Sequence, residues 1–163
     1  MNSWKKAALA CAVMGLSCTA AQAKPIRIGA AVYGLKGEFM QMWTNALKAD
    51  PAVKDGTVEI TVFDGNYDAL TQSNQFDTMI TQKYDAIIFV PIDKAAGAAA
   101  VAKAAAAHIP VIALSANAVP RDIEKGLQAG FFRYLTKPIK VNEFMDTLEV
   151  ALEFARQTAL QAR

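Results

Sequence analysis

Cysteine is nearly missing from this chain: there are two in 163 residues, Cys11 and Cys18, both close to the amino terminus. Everything downstream is left without a thiol nucleophile, a disulfide or a cysteine metal site. Histidine is scarcer still. His108 is the single one, and without histidine or cysteine partners it reads as a turn residue before Ile109-Pro110, not as a zinc ligand. Charge of one sign is also lacking. Lys5 and Lys6 are two of the 17 basic residues, so beyond them 15 basic residues face 15 acidic ones. A balanced chain carries no electrostatic footprint for nucleic acid or an anionic membrane. No nucleophile-base pair, glycine-rich phosphate loop or histidine cluster is present, so neither enzyme chemistry nor a cofactor is expected.

The amino end is built differently. Met1 to Ala23 opens with Lys5 and Lys6, continues through the apolar run Ala7 to Leu16 and closes on Ala21-Gln22-Ala23. That pattern predicts a secretory signal peptide cleaved before Lys24. The run falls well short of the ~20 residues a bilayer span needs, so no membrane span is expected after cleavage. Lipid attachment at Cys18 fits less well, because Gly15 stands where such a box wants leucine.

From Ile26 onward, strands alternate with helices. Ile28 to Val32 reads as a buried strand closed by Gly34 and Gly37. Phe39, Met40, Trp43, Ala46 and Leu47 then recur at helical spacing until Asp50-Pro51. Val58 to Phe63 predicts the second strand. A helix over 69–82 follows, with Leu70, Phe76, Met79 and Ile80 on its inner face. The run Ala86 to Val90 is uninterruptedly apolar, as interior parallel strands are. Ala95 to Ala107 is almost all alanine, which suits a helix packed close to a sheet. After the strand Val111 to Leu114, Pro120 and Gly130 bracket a further helix. Tyr134-Leu135-Thr136 makes a short fifth strand, and the stripe from Val141 to Ala155 a closing amphipathic helix. Five strands alternating with five helices predict one flavodoxin-like α/β domain over 24–163. It would have three layers, a parallel sheet of order 2-1-3-4-5, and a crevice at the carboxyl ends of strands one and three.

Two families are resembled in turn. The first lies over about residues 24–112, in the exported context, Phe39 after the first strand, Asp64-Gly65-Asn66 after the second, the run from Tyr84 to Asp93, and Ile109-Pro110-Val111-Ile112. These resemble the amino-terminal lobe of ribose- and galactose-type periplasmic binding proteins of sugar ABC transporters. The resemblance implies a monosaccharide ligand, a membrane permease as partner and a periplasmic location. It implies Asp93 as the carboxylate that accepts from sugar hydroxyls and Phe39 as the stacking ring, with Tyr33, Lys36 and Asn66 as further contacts. Asp93 also has the simpler reading of a helix cap. Such proteins grip sugar between two lobes, and the second is not in this sequence, so weak or absent binding is the expectation.

The second lies over about residues 109–155, in Val111 to Ala118 and Glu124 to Ile139. These resemble the carboxyl-terminal third of a response-regulator receiver. By that resemblance Ser115 is the switch hydroxyl, Tyr134 the switch aromatic and Lys137 the phosphate-pairing cation, with Pro138 after a cis bond. The acids that hold magnesium have no counterpart in Gly29-Ala30-Ala31-Val32, and the acceptor position falls on Val90. A valine cannot be phosphorylated, so these three residues are read as remnants. The chain thus looks chimeric, with a join between about 108 and 115 and a receiver-like part over 113–163. The composite is foldable by pattern, and the residual risk lies in packing between the third and fourth strands. The leading functional reading is an exported sugar-binding module. The alternatives are a degenerate receiver-like signalling module and a chimeric fold without ligand.

Overall fold

The computed structural model describes residues 24–116 and 118–161, with no side chain described at Val141 or from Ala159 on. The leader Met1 to Ala23, with both cysteines, lies outside the described residues. The strands are β1 (Ile26–Val32), β2 (Val58–Asp64), β3 (Ala86–Phe89), β4 (Val111–Ser115) and β5 (Arg133–Thr136). The helices are α1 (Glu38–Ala49), α2 (Pro51–Lys54), α3 (Ala69–Thr81), α4 (Lys94–Ala106), α5 (Pro120–Gln128) and α6 (Val141–Gln161). All strand pairs are parallel and the order is β2-β1-β3-β4-β5. This is the flavodoxin-like arrangement that the alternation predicts.

Composition sorts the strands by position. Every residue of β3 is buried, as an interior strand covered on both faces must be. β2 carries Glu59 and Thr61 and stays half-buried at one edge of the sheet. On one face, Phe76 and Met79 of α3 and Ala100, Val101 and Ala104 of α4 pack on Ile87, Phe89 and Val111. The Phe76 and Phe89 rings meet edge to face at 4.6 Å. On the other face, Trp43 of α1 with Phe144 and Leu148 of α6 cover Ile28, Ile88, Ile112 and Leu135.

Two local readings need correction. A sixth helix, α2, follows α1 directly, because the Asp50 carboxylate accepts from the Ala52 N–H at 2.9 Å and Pro51 fits a first helical turn. On α3, Leu70 is 69% exposed while Gln72 is 4% exposed. The inward stripe is therefore Gln72, Phe76 and Met79, and a polar group takes the place expected of leucine. Across β3 and β4, Ile87, Ile88 and Phe89 lie in register with Val111, Ile112 and Ala113, all buried. His108 occupies the turn before β4 with φ 59° and is exposed, as read.

Candidate functional site

The parallel strands all end on one edge, and the loops there carry most of the residues singled out from the sequence. Asp93 caps α4. Its Oδ1 accepts from the Ala96 N–H at 2.8 Å, and no bond to Oδ2 is present among the described residues. The capping role of Asp93 is thus realised through one carboxylate oxygen. The turn that presents Asp93 is held from below. Buried Gln72 donates through Nε2 to the Val90 carbonyl at 3.0 Å and accepts at Oε1 from the Ile92 N–H at 3.0 Å. One side-chain amide therefore satisfies both backbone groups that flank Pro91, where β3 leaves the sheet. Sequence reasoning missed Gln72. The available signal was an amide on the apolar stripe four residues before Phe76.

Asp93 and Ser115 line one cleft. It has a volume of about 540 Å³ and runs between α4 and α5 over β4, with Tyr134 and Phe131 at its inner end. Lys94 of α4 pairs with Asp122 of α5 at 2.8 Å, joining the two walls near the mouth. The walls are small residues, Gly97, Ala98 and Ala129 among them, and α5 has no buried residue. Short side chains on facing helices cannot meet, and the gap is the result. The room lies between the helices above β4, not between the strands.

Tyr33, Lys36 and Asn66 sit apart from that cleft, at the ends of β1 and β2. The loop after β2 is stitched to β1 by bonds from Gly65 N–H to the Val32 carbonyl (2.9 Å) and from Tyr67 N–H to the Tyr33 carbonyl (2.8 Å). Asn66 and Tyr67 both have positive φ, 48° and 58°. That region is uncommon for a tyrosine. The Tyr67 ring lies 5.7 Å from that of Tyr33 and directly against Gly34, where an added Cβ would come within 2.5 Å. Tyr67, 49% exposed, is a second aromatic that the sequence reading did not single out. Lys36 is exposed in the loop before α1.

Phe39 faces elsewhere. It lines a groove of about 490 Å³ between α1 and α6, with Trp43, Pro138, Phe144 and Met145. Lys137 extends over its ring, Nζ 3.8 Å from the centroid. The residue read as a phosphate-pairing cation thus caps an aromatic by a cation–π contact. The Lys137–Pro138 bond is cis, as the receiver resemblance implies. Magnesium does not fit the receiver position: Val90 stands there, packed towards the α1–α6 side, beside a β1 that brings no acid. Among the described residues no cluster of acidic, histidine or cysteine side chains could hold a metal. Nor is any helix there long and apolar enough to cross a membrane.

The carboxyl ends of β1, β2 and β3 therefore hold an aromatic pair, an asparagine turn and a helix-capping carboxylate, while β4 and β5 carry a second set. A family model described as the periplasmic binding protein domain matches residues 28–133, running on through α5 past Ile112. The xylitol-binding protein of Mycolicibacterium smegmatis is 32% identical over 123 residues, 70% of this chain and 34% of that protein. The chain thus spans about a third of the length of that curated relative. An ABC transporter periplasmic solute-binding protein from Actinobacillus succinogenes, solved with bound D-allose, is 27% identical with a TM-score of 0.54. The alignment covers 69% of this chain and 38% of that one. The receiver domain of a Pseudomonas aeruginosa sensor histidine kinase, solved with a magnesium ion in its cleft, is 25% identical with a TM-score of 0.54. Here 80% of this chain and 98% of the other are covered.

Proposed function

Because the chain belongs to the periplasmic binding protein domain family, we propose that it binds a neutral monosaccharide or polyol at the carboxyl edge of its sheet, without catalysis. The observation that carries this reading is the match of β1 through α5 to that family, with Asp93 lining the α4–α5 cleft and only its Oδ1 used in the helix cap. A carboxylate oxygen that is already oriented, but not consumed, can accept from a sugar hydroxyl without breaking the helix cap. Ser115 supplies a hydroxyl on the same cleft. The Tyr33–Tyr67 pair offers an apolar face on the β1–β2 side, with Asn66 and Lys36 as polar neighbours. Phe39 contributes only if Lys137 leaves its ring. The relatives named for xylitol and solved with D-allose support a small polyhydroxylated ligand.

The rest of the reading follows from the leader. The protein is exported, is cleaved before Lys24, works in the periplasm and delivers its ligand to a membrane permease. Amino-terminal sequencing of the periplasmic fraction checks the cleavage. The binding claim is checked by a thermal-shift screen of the purified protein against monosaccharides and pentitols, since a ligand that binds the native state must raise its melting temperature. A shift that disappears in Asp93→Ala supports the assignment. A shift that is unchanged removes Asp93 from the site. No shift with any sugar would favour a chimeric fold without ligand.

A second reading, a receiver-like signalling module, is favoured by Ser115 and Tyr134 lining one cleft and by the receiver-domain likeness. It expects no phosphate uptake from acetyl phosphate, because Val90 holds the acceptor position. It expects instead a protein partner on the face from Lys125 to Tyr134, which a pull-down with a purified histidine kinase would test.

A further inference from the structure

The α4–α5 cleft is built in two halves of different chemistry. Its mouth, at the carboxyl ends of β3 and β4, carries Asp93, Lys94, Ser115 and Asp122. Its inner half, one turn further along α4 and towards the end of α5, is walled by Gly97, Ala98 and Ala129 and closed by Phe131 and Tyr134. The helix α4 lies close on the sheet for a reason visible in the packing. Gly97 rides directly over Pro91 and Phe89, where even a Cβ would stand 3.3 Å and 3.4 Å from them. Behind it the rings form a connected set: Phe89 and Phe131 stack at 6.0 Å with planes 21° apart, and Tyr134 meets Phe131 edge-on at 5.9 Å.

A sugar ring presents hydroxyls around its whole perimeter and needs polar partners for each one that leaves water. The mouth offers several such partners, while the inner half offers only Lys125 and the Tyr134 hydroxyl beside its apolar walls. A volume of about 540 Å³ also lies in the range of pockets that enclose drug-sized ligands, which is more room than one sugar ring fills. The Lys94–Asp122 pair links the two walls at the mouth.

We propose that the cleft takes a glycoside with an aromatic aglycone. The sugar sits at the mouth against Asp93 and Ser115, and the aglycone lies between α4 and α5 with its edge or face on Phe131 and Tyr134. This rests on the sugar-binding reading above and names the ligand class within it. An aromatic ring placed there extends the existing edge-to-face array and buries apolar surface that is otherwise wet.

The test is titration calorimetry of the purified protein with methyl and phenyl β-D-glycosides of glucose, galactose and allose. The phenyl glycoside of a bound sugar should be held roughly tenfold or more tightly than the methyl glycoside, the scale set by burying most of one phenyl ring. Ala98→Phe fills the inner half and should bring that ratio close to one. Ala129→Leu, from the opposite wall, serves if Ala98→Phe does not fold. Equal affinities in the parent protein overturn the aglycone site and leave the sugar reading standing. No binding of either glycoside overturns both. Phenyl-glycoside binding that is lost in Ala98→Phe but indifferent to Asp93→Ala supports the inner half and overturns the sugar contact at the mouth.

Discussion

The two grooves of this molecule are alike in size and opposite in construction. The one between α4 and α5 has glycine and alanine among its walls, with Phe131 and Tyr134 beside them. The one between α1 and α6 is lined by large side chains, Phe39, Trp43, Phe144 and Met145, that do not close over one another. The first has a polar mouth crossed by an ion pair, while the second has a single cation, Lys137, laid across Phe39. Small walls make a cavity that a guest can fill without moving anything. Bulky walls make a groove whose shape depends on which rotamers its own side chains hold. The proposed ligand chemistry thus belongs to α4–α5, and adjustable packing to α1–α6.

The strongest way to break this contrast is to remove what supports the α4 side. Phe89 stacks on Phe131, meets Phe76 edge-on and lies beneath Gly97. Phe89→Ala should cost about 3–5 kcal/mol in chemical denaturation, the usual range for a buried phenylalanine. Next comes the amide beneath Asp93. Gln72→Leu strands the Val90 carbonyl and the Ile92 N–H, and a loss of about 1–3 kcal/mol is expected. It should also bring faster hydrogen exchange at the Ile92 amide, which distinguishes a released loop from general destabilisation.

Effects on the other groove should be smaller. Lys137→Met removes the cation over a ring that is 43% exposed, so about 0.5–1 kcal/mol is at stake, read from thermal unfolding. A loss far above that would mean that Lys137 carries more of the α1–α6 side than one ring contact. Smallest is an effect of pH at α3. The Asp68 carboxyl lies below its ordinary value because its side chain accepts hydrogen bonds at Thr71. Its stabilisation is therefore present above the ordinary carboxylate range and is lost as pH falls through the lowered value. Asp68→Asn should flatten that acid limb, and an unchanged pH profile would show that the cap is not ionic.

Much of this was readable along the chain, and the limits have physical causes. The strand order followed from alternation and from the apolar run at Ala86 to Phe89, because only a strand covered on both faces can be apolar throughout. Asp93 was legible both as a cap and as a ligand candidate, since position alone specifies the N-terminus of α4 and one carboxylate can serve both roles. The pairing of Phe39 with Lys137 was not legible. Those residues come from opposite ends of the chain and meet only because α1 and the loop after β5 share one side of the sheet. The Gln72 clamp was hidden for a related reason: its partners are the backbone groups of Val90 and Ile92, and backbone groups leave no mark in a sequence.

What the sequence determined by itself is the alternation of strands and helices and the order of the strands in the sheet, because periodicity and strand burial patterns are properties of the chain alone. Tertiary structure decided where the space lies. The room between α4 and α5, the aromatic array behind Gly97 and the cation over Phe39 depend on how side chains far apart in the chain meet across one sheet. Volume left unfilled is a property of the packed pair of walls, and neither wall specifies it alone.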